Sequence, residues 1–340
     1  MKINVRKSPS LAGEITIYRI MNDLGASVEL SSLGAGILAL HVPDRYGNIE
    51  NVALGYANPA DYLDDGPCMG KIPGRYANRI AGGHLSIDGS DYQLATNCGP
   101  NHLHGGPTGF QNRIWDSEIL PDGVRFSYTS ADGEENYPGR LSVIAEYRWN
   151  DRCQLSLTLR ATTDKTTVVN LTNHTYWNLE GADAGCALDH LLRINASEWL
   201  PTDESLAPTG RFAPVDGTPM DFRRTHAVGD NIRADFPALR YGKGYDNCWI
   251  LDSGEEAVTL HAPKSGRTLT IDTDQPGVQV YTGNWLAGSP SNRSGRKYLD
   301  YDGIAIEAQG LPDAPNHAEF PSQLLTPGSE YIRTIRFSFS

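Results

Sequence analysis

The chain has 340 residues and a formal net charge of −12, with 21% charged and 39% hydrophobic residues. That balance belongs to a globular protein, and the acidity argues against nucleic acid or an anionic membrane surface as a partner. Five cysteines (Cys68, Cys98, Cys153, Cys186 and Cys248) are scattered without metal-ligand spacing. An odd count cannot complete a disulfide framework within one chain, so reduced thiols in a cytoplasmic protein are expected. The opening residues Met1 to Pro9 lead into no apolar segment, and no run approaches the ~18 apolar residues of a membrane span. Neither a signal peptide nor a membrane helix is expected.

In chain order, the 35 glycines and 21 prolines punctuate the whole sequence, and long segments of 3.6-residue period are missing. Asn58-Pro59-Ala60-Asp61-Tyr62 reads as a capped short helix with proline at its first position. Asp88-Gly89, Asp122-Gly123 and Asp302-Gly303 read as hairpin or tight turns. Leu141, Val143, Ala145, Tyr147 and Trp149 fall on one face at a two-residue period. Asn150-Asp151 then turns the chain, and Leu155, Leu157 and Leu159 alternate again, which predicts a half-buried antiparallel hairpin. A further helical turn is expected near Asp230 to Ala234, and Ile335, Phe337 and Phe339 share one face of a final strand. No linker and no fixed-period repeat interrupts the chain. One all-β domain over residues 1–340 is expected, its many strands stacked as two sheets or closed into a barrel, with a few short helices.

Polar clusters interrupt this pattern. Gly74-Arg75-Tyr76-Ala77-Asn78-Arg79-Ile80 holds an arginine and an asparagine suited to sugar or carboxylate oxygens; an arginine tying down a loop is the plainer reading. Asn101-His102-Leu103-His104-Gly105-Gly106 carries alternate histidines. On an extended segment these point the same way, toward a pocket wall or, with Glu307, a metal. His174 lies in Val169-Asn170-Leu171-Thr172-Asn173-His174-Thr175-Tyr176-Trp177-Asn178-Leu179, among amides that a polyhydroxylated ligand would satisfy. Asp246 precedes an apolar strand in Gly244-Tyr245-Asp246-Asn247-Cys248-Trp249, either as a hydroxyl acceptor or as an Asx-turn. Gln279 alternates with apolar residues in Pro276-Gly277-Val278-Gln279-Val280-Tyr281, and Trp285 or Trp177 offers a flat face to a pyranose or fills the core. Ile304-Ala305-Ile306-Glu307-Ala308-Gln309 sets a carboxyl in an apolar strand, which is costly without a job or a partner. A histidine and a glutamate brought together by folding make a general acid/base pair.

In order and spacing, the motifs GRYANRI, NHLHGG, LTNHTYWNL, GYDNCWIL, PGVQVYTGNWL and IEAQGLPDAPNH resemble those of the aldose 1-epimerase family, the galactose mutarotases. The resemblance runs from about Gly55 to the C-terminus. It implies a large antiparallel β-sandwich of the galactose mutarotase-like supersandwich type, an open sugar cleft across one sheet, no metal and no cofactor. It implies Glu307 as general base, His174 as general acid and His104 as a second histidine that binds the sugar and assists at the ring oxygen. Arg79, Asp246 and Gln279 match sugar-binding positions, with Asn78 beside Arg79. Ala308 stands where threonine is usual, and Glu135-Asn136-Tyr137-Pro138-Gly139 departs from the commoner form of a loop near the cleft.

These residues imply interconversion of the α and β anomers of a free aldohexose such as glucose or galactose. Glu307 takes the C1 hydroxyl proton while His174 protonates the ring oxygen, and the open-chain aldehyde recloses on its other face. Reference values of ~6.5 for histidine and ~4.3 for glutamate put the mixed protonation state near pH 6 to 7. Arg79 either holds Glu307 ionised or clamps a hydroxyl. The expected partner is the small-molecule aldose, acted on by a monomer or homodimer. Other readings are a non-catalytic sugar-binding module, a phosphosugar mutarotase, a metal enzyme built on His102, His104 and Glu307, and a glycosidase using Glu307 and Asp246.

Overall fold

The computed structural model describes residues 1–340. Its regular secondary structure is almost entirely antiparallel strand. A nine-stranded sheet, a six-stranded sheet and a five-stranded sheet carry the architecture, with three two-stranded ribbons between them. The predicted hairpin is Leu141–Trp149 paired with Gln154–Thr163 in the nine-stranded sheet, Leu141 opposite Thr163 and Trp149 opposite Leu155. Every second residue of both strands is buried, as alternation with a two-residue period requires. The final strand, Tyr331–Phe339, pairs with Gln154–Thr163 and turns Ile335, Phe337 and Phe339 inward.

One continuous apolar core of 59 buried residues joins the faces of all three large sheets. Trp177 belongs to it and is fully buried against Phe337 and Phe339, so it packs the interior and offers no face to a sugar. At Gly123, where the Asp122-Gly123 turn enters a strand, an added Cβ would lie 1.9 Å from the carbonyl oxygen of Tyr147. Glycine is needed there for the close approach of a neighbouring strand.

Helices are few and short. Asn58 caps Pro59–Tyr62 by accepting from the Ala60 amide, as expected. The only α-helix is Pro237–Gly242, beyond the turns at Asp230 to Ala234 where a helical turn was anticipated. Asp302-Gly303 makes no hairpin. The Asp302 carboxylate instead accepts from Arg296 and from the Leu299 amide, closing the loop that leads into Ile304–Gln309. All five cysteines are free. No helix is long and apolar enough to cross a membrane.

Candidate active site

The six-stranded sheet supplies the floor of the site. Its strands Asp246–Ile250, Gly277–Tyr281 and Ile304–Gln309 are adjacent, and the register sets Cys248 opposite Gln279 and Gln279 opposite Glu307. Ile304, Ile306 and Ala308 point into the large core. Alternation then sends Ala305, Glu307 and Gln309 to the other face, where Glu307 is 2% exposed.

His174 reaches this floor from an extended segment pinned along its length. Its amide donates to the Lys71 carbonyl at 2.9 Å, and its carbonyl accepts from the Gly70 amide at 2.9 Å. The asparagines around it serve the backbone and not a ligand, contrary to expectation. Asn170 donates to Ala77 and Gly310 carbonyls, Asn173 to Gly70, and Asn178 to Gly185 and Asp302. Irregular buried backbone has no ladder to satisfy it, so side-chain amides take that role. The result is an imidazole fixed with Nε2 3.4 Å from Glu307 Oε1.

Arg79–Ile80 pairs with His102–Leu103, which brings the two N-terminal motifs together. The alternate histidines do not share a side. His102 is fully buried, its ring held by the Ala95 carbonyl and the Tyr137 hydroxyl. His104 follows with φ +53°, a left-handed turn that swings its ring into the cleft and defeats the alternation assumed for an extended segment. Gly105 completes that turn at φ +80°, where any Cβ would collide with the Gly74 carbonyl at 1.9 Å. The departing loop packs behind the same turn, with Glu135 Oε1 accepting from the Thr108 amide. A metal site built on His102, His104 and Glu307 therefore lacks its first ligand.

His104 Nδ1 accepts from the Asn78 backbone amide at 3.1 Å, which puts the ring's proton on Nε2. Burial and the neighbouring His174 hold its pKa well below the usual histidine value, so it is a neutral donor. The two rings meet edge to face with centroids 5.2 Å apart.

Arg79 Nη2 donates to Asp246 Oδ2 at 3.1 Å, and Gln279 Nε2 donates to Asp246 Oδ1 at 2.6 Å. Asp246 is thus no Asx-turn residue. Its carboxylate is engaged on both oxygens, which removes it as a free second carboxylate of the glycosidase kind. Gln279 stands behind Asp246 and is absent from the lining of the cavity, whereas Asn78, Arg79, His104, His174, Asp246 and Glu307 all line it.

That cavity has a volume of about 460 Å³, enough for one aldose ring. Tyr176, Tyr281 and Trp285 complete its aromatic side; Trp285 is one of the two tryptophans named for a pyranose face, whereas nothing in the motifs distinguished Tyr176 and Tyr281 from core aromatics. Trp285 is 49% exposed at the rim and stacks on Tyr281. Leu206 arrives from an irregular loop, and nothing in its local sequence marks it.

Burial decides the protonation of the central pair. Desolvation raises the Glu307 carboxyl well above its ordinary value; Asp246 adds to the rise and Arg79 offsets only part of it. Arg79 therefore does not hold Glu307 ionised. Desolvation pushes His174 down to about 4. Carboxyl and imidazole together hold one proton, which rests on the carboxyl side.

The aldose 1-epimerase family model matches residues 16–338. The human galactose mutarotase (Homo sapiens) is 42% identical over 335 residues, covering 98% of this chain and 96% of that protein. Aldose 1-epimerase of Escherichia coli strain K12 is 37% identical over 345 residues, covering 98% and 99%. Among solved structures, galactose 1-epimerase from Lactobacillus acidophilus superposes with a TM-score of 0.88 at 30% identity, covering 100% of this chain and 99% of that one. An aldose epimerase homologue from C. elegans gives 0.88 at 31% identity, covering 95% and 98%. The cleft, the order of its motifs and these near full-length matches agree: the chain belongs to the aldose 1-epimerase family.

Proposed function

We propose that the protein is a mutarotase that opens and recloses the ring of free aldohexoses, with Glu307 as base, His174 as acid, and His104 as neutral donor to the sugar. The observation that carries the assignment is the 3.4 Å approach of His174 Nε2 to Glu307 Oε1 at the base of a ring-sized cavity. O1 and O5 of a hemiacetal sit on the same carbon, so an acid and a base serving them must converge on nearly one point. Glu307 removes the O1 proton and His174 protonates O5. The C1–O5 bond breaks, and its electron pair stays with O5 as the C1 carbonyl forms. Rotation about C1–C2 presents the other carbonyl face. His174 then takes the O5 proton back, O5 attacks C1, and Glu307 returns a proton to O1.

The proton inventory suits this cycle. Ring opening turns carboxylate and imidazolium into carboxyl and neutral imidazole without change of net charge. Burial favours that neutral pair, which is the state opposite the open-chain aldehyde. The low-dielectric site thus lowers the cost of the aldehyde relative to solution, and no charge enters or leaves the cavity.

Arg79 is the only cationic side chain lining the cavity, and it is paired with Asp246. No free cation is left to receive a phosphate, which favours unphosphorylated aldose as substrate. Asn78, Arg79 and Asp246 bind ring hydroxyls in this reading, and Gln279 sets the Asp246 carboxylate. In this reading the enzyme acts as a monomer or a homodimer. Free cysteines fit the reducing cytoplasm.

Polarimetry on freshly dissolved α-D-glucose or α-D-galactose tests the reading. Glu307→Ala is expected to leave only the spontaneous rate, and retained catalysis in that variant removes the base.

A further inference from the structure

The strand that carries Glu307 carries a second polar side chain on the same face. Gln309 follows two residues on, is 0% exposed, and neither its Oε1 nor its Nε2 has a hydrogen-bond partner within the protein. Its strand neighbour is Gly277, which adds no side chain. An added Cβ at Gly277 would meet Leu311 Cδ2 at 2.8 Å, Cys248 Sγ at 3.1 Å and the Trp249 carbonyl oxygen at 3.1 Å, and none of these groups bonds the Gln309 amide. An amide left dry in such a place costs several kcal/mol, which native interiors avoid by ordering water. Glu307 Oε2 is the matching orphan: it is buried and unpartnered, while Oε1 faces His174. Side chains at i and i+2 of a strand stand ~6.6 Å apart, and one water with two hydrogen bonds of ~2.8 Å spans most of that.

We propose that Gln309 is a positioning residue for the reaction: it holds a buried water that donates to Glu307 Oε2. This rests on Glu307 being the base. The bridge orients the carboxyl with Oε1 toward the sugar and favours its ionised form, the form that removes the O1 proton. Burial and Asp246 act in the opposite sense. The other titratable or charged groups facing this carboxyl are His174, Arg79, Cys68, Cys248 and Tyr176. His174 approaches Oε1, the thiols and the phenol are held neutral by burial, and Arg79 is directed at Asp246. Without the water, Oε2 has no donor.

Gln309→Met keeps the length and removes both polar atoms. The expected result is a loss of about tenfold in kcat at neutral pH with KM nearly unchanged. Its alkaline limb of kcat against pH moves upward, because a carboxyl that loses a donor gives up the shared proton less readily. Gln309→Asn, whose amide can hold the water from further back, is expected to recover most of kcat and the original limb. A merely structural glutamine would lower thermal stability and leave the limb in place, and that outcome overturns the proposal. If Gln309→Met does not fold, a high-resolution crystal structure of the unmodified enzyme decides. Water within hydrogen-bond distance of both Glu307 Oε2 and the Gln309 amide supports the bridge, and continuous apolar contact there overturns it. Loss of activity in Glu307→Ala with an unmoved profile in Gln309→Met separates failure of the bridge from failure of the base.

Discussion

Gln279 donates to Asp246 Oδ1 at 2.6 Å while Arg79 holds Oδ2 of the same carboxylate at 3.1 Å. A side chain matched by family resemblance to a sugar contact thus bonds Asp246, which lines the cavity. Gln279→Leu is expected to raise KM about tenfold, the effect of leaving a buried acceptor short of one donor, while kcat changes by less than about threefold. A fall in kcat at constant KM would place Gln279 on the reacting atoms instead.

His174→Asn removes the acid and keeps a polar side chain in the cleft. Kcat is expected to fall by a factor of about 10² to 10⁴, the usual contribution of a positioned acid or base, while sugar binding persists. Steady-state polarimetry together with calorimetric titration of galactose separates the two quantities. Unchanged kcat would remove His174 from the chemistry.

The pH profile follows from the single proton shared by the pair. His174, held down to about 4 by burial, gains a second proton as pH falls through that region, and the site then has no base. The Glu307 carboxyl, held well above its ordinary value, yields the shared proton only at higher pH, after which the site has no acid. The profile of kcat/KM is therefore expected to be a bell, with its acid limb near pH 4 and its alkaline limb above the ordinary carboxylate range. This corrects the narrower window near pH 6 to 7 that unperturbed side chains give. An acid limb at pH 6.5 would show that His174 is not desolvated as the structure has it.

The same shift carries a stability cost with a definite sign. Below the unfolded-state pKa of Glu307, both native and unfolded chains hold the proton and no cost arises. Above it, the unfolded chain ionises first, and folding must keep or regain a proton. Stability is lost at ~1.4 kcal/mol per pH unit until the raised native value is passed. Glu307→Gln mimics the neutral form and should be more stable than the parent at pH 8, with the difference vanishing toward pH 4.5. Thermal melts across that range check it. A destabilised Glu307→Gln at pH 8 would mean that the native carboxyl is ionised and well paired.

Dialysis against a chelator is expected to leave mutarotation intact, since His102 is held by Tyr137 and the Ala95 carbonyl and cannot join His104 on an ion. Activity lost on chelation and restored by added metal would contradict the acid/base reading.

Legibility from sequence followed physical range. Alternation over Leu141 to Leu159 needs only a two-residue period and one buried face, and the structure reproduces it in full. The helix Pro237–Gly242 is six residues long, too short to show a period, and was missed. The asparagines near His174 were misassigned because a polar side chain in an apolar stretch looks the same whether its partner is a ligand or a distant backbone carbonyl. His102 and His104 were given one side because local spacing carries no sign of the left-handed turn at His104.

Residue order alone was enough to identify an all-strand chain, its family and the chemical types in its cleft, because alternation, turn residues and motif spacing are local properties. It could not say which nitrogen of His104 bears hydrogen, that Arg79 is directed at Asp246, or that Glu307 is desolvated beyond Arg79's reach. Those facts depend on distance and dielectric between segments far apart in the chain, and only packing the sheets together sets either one.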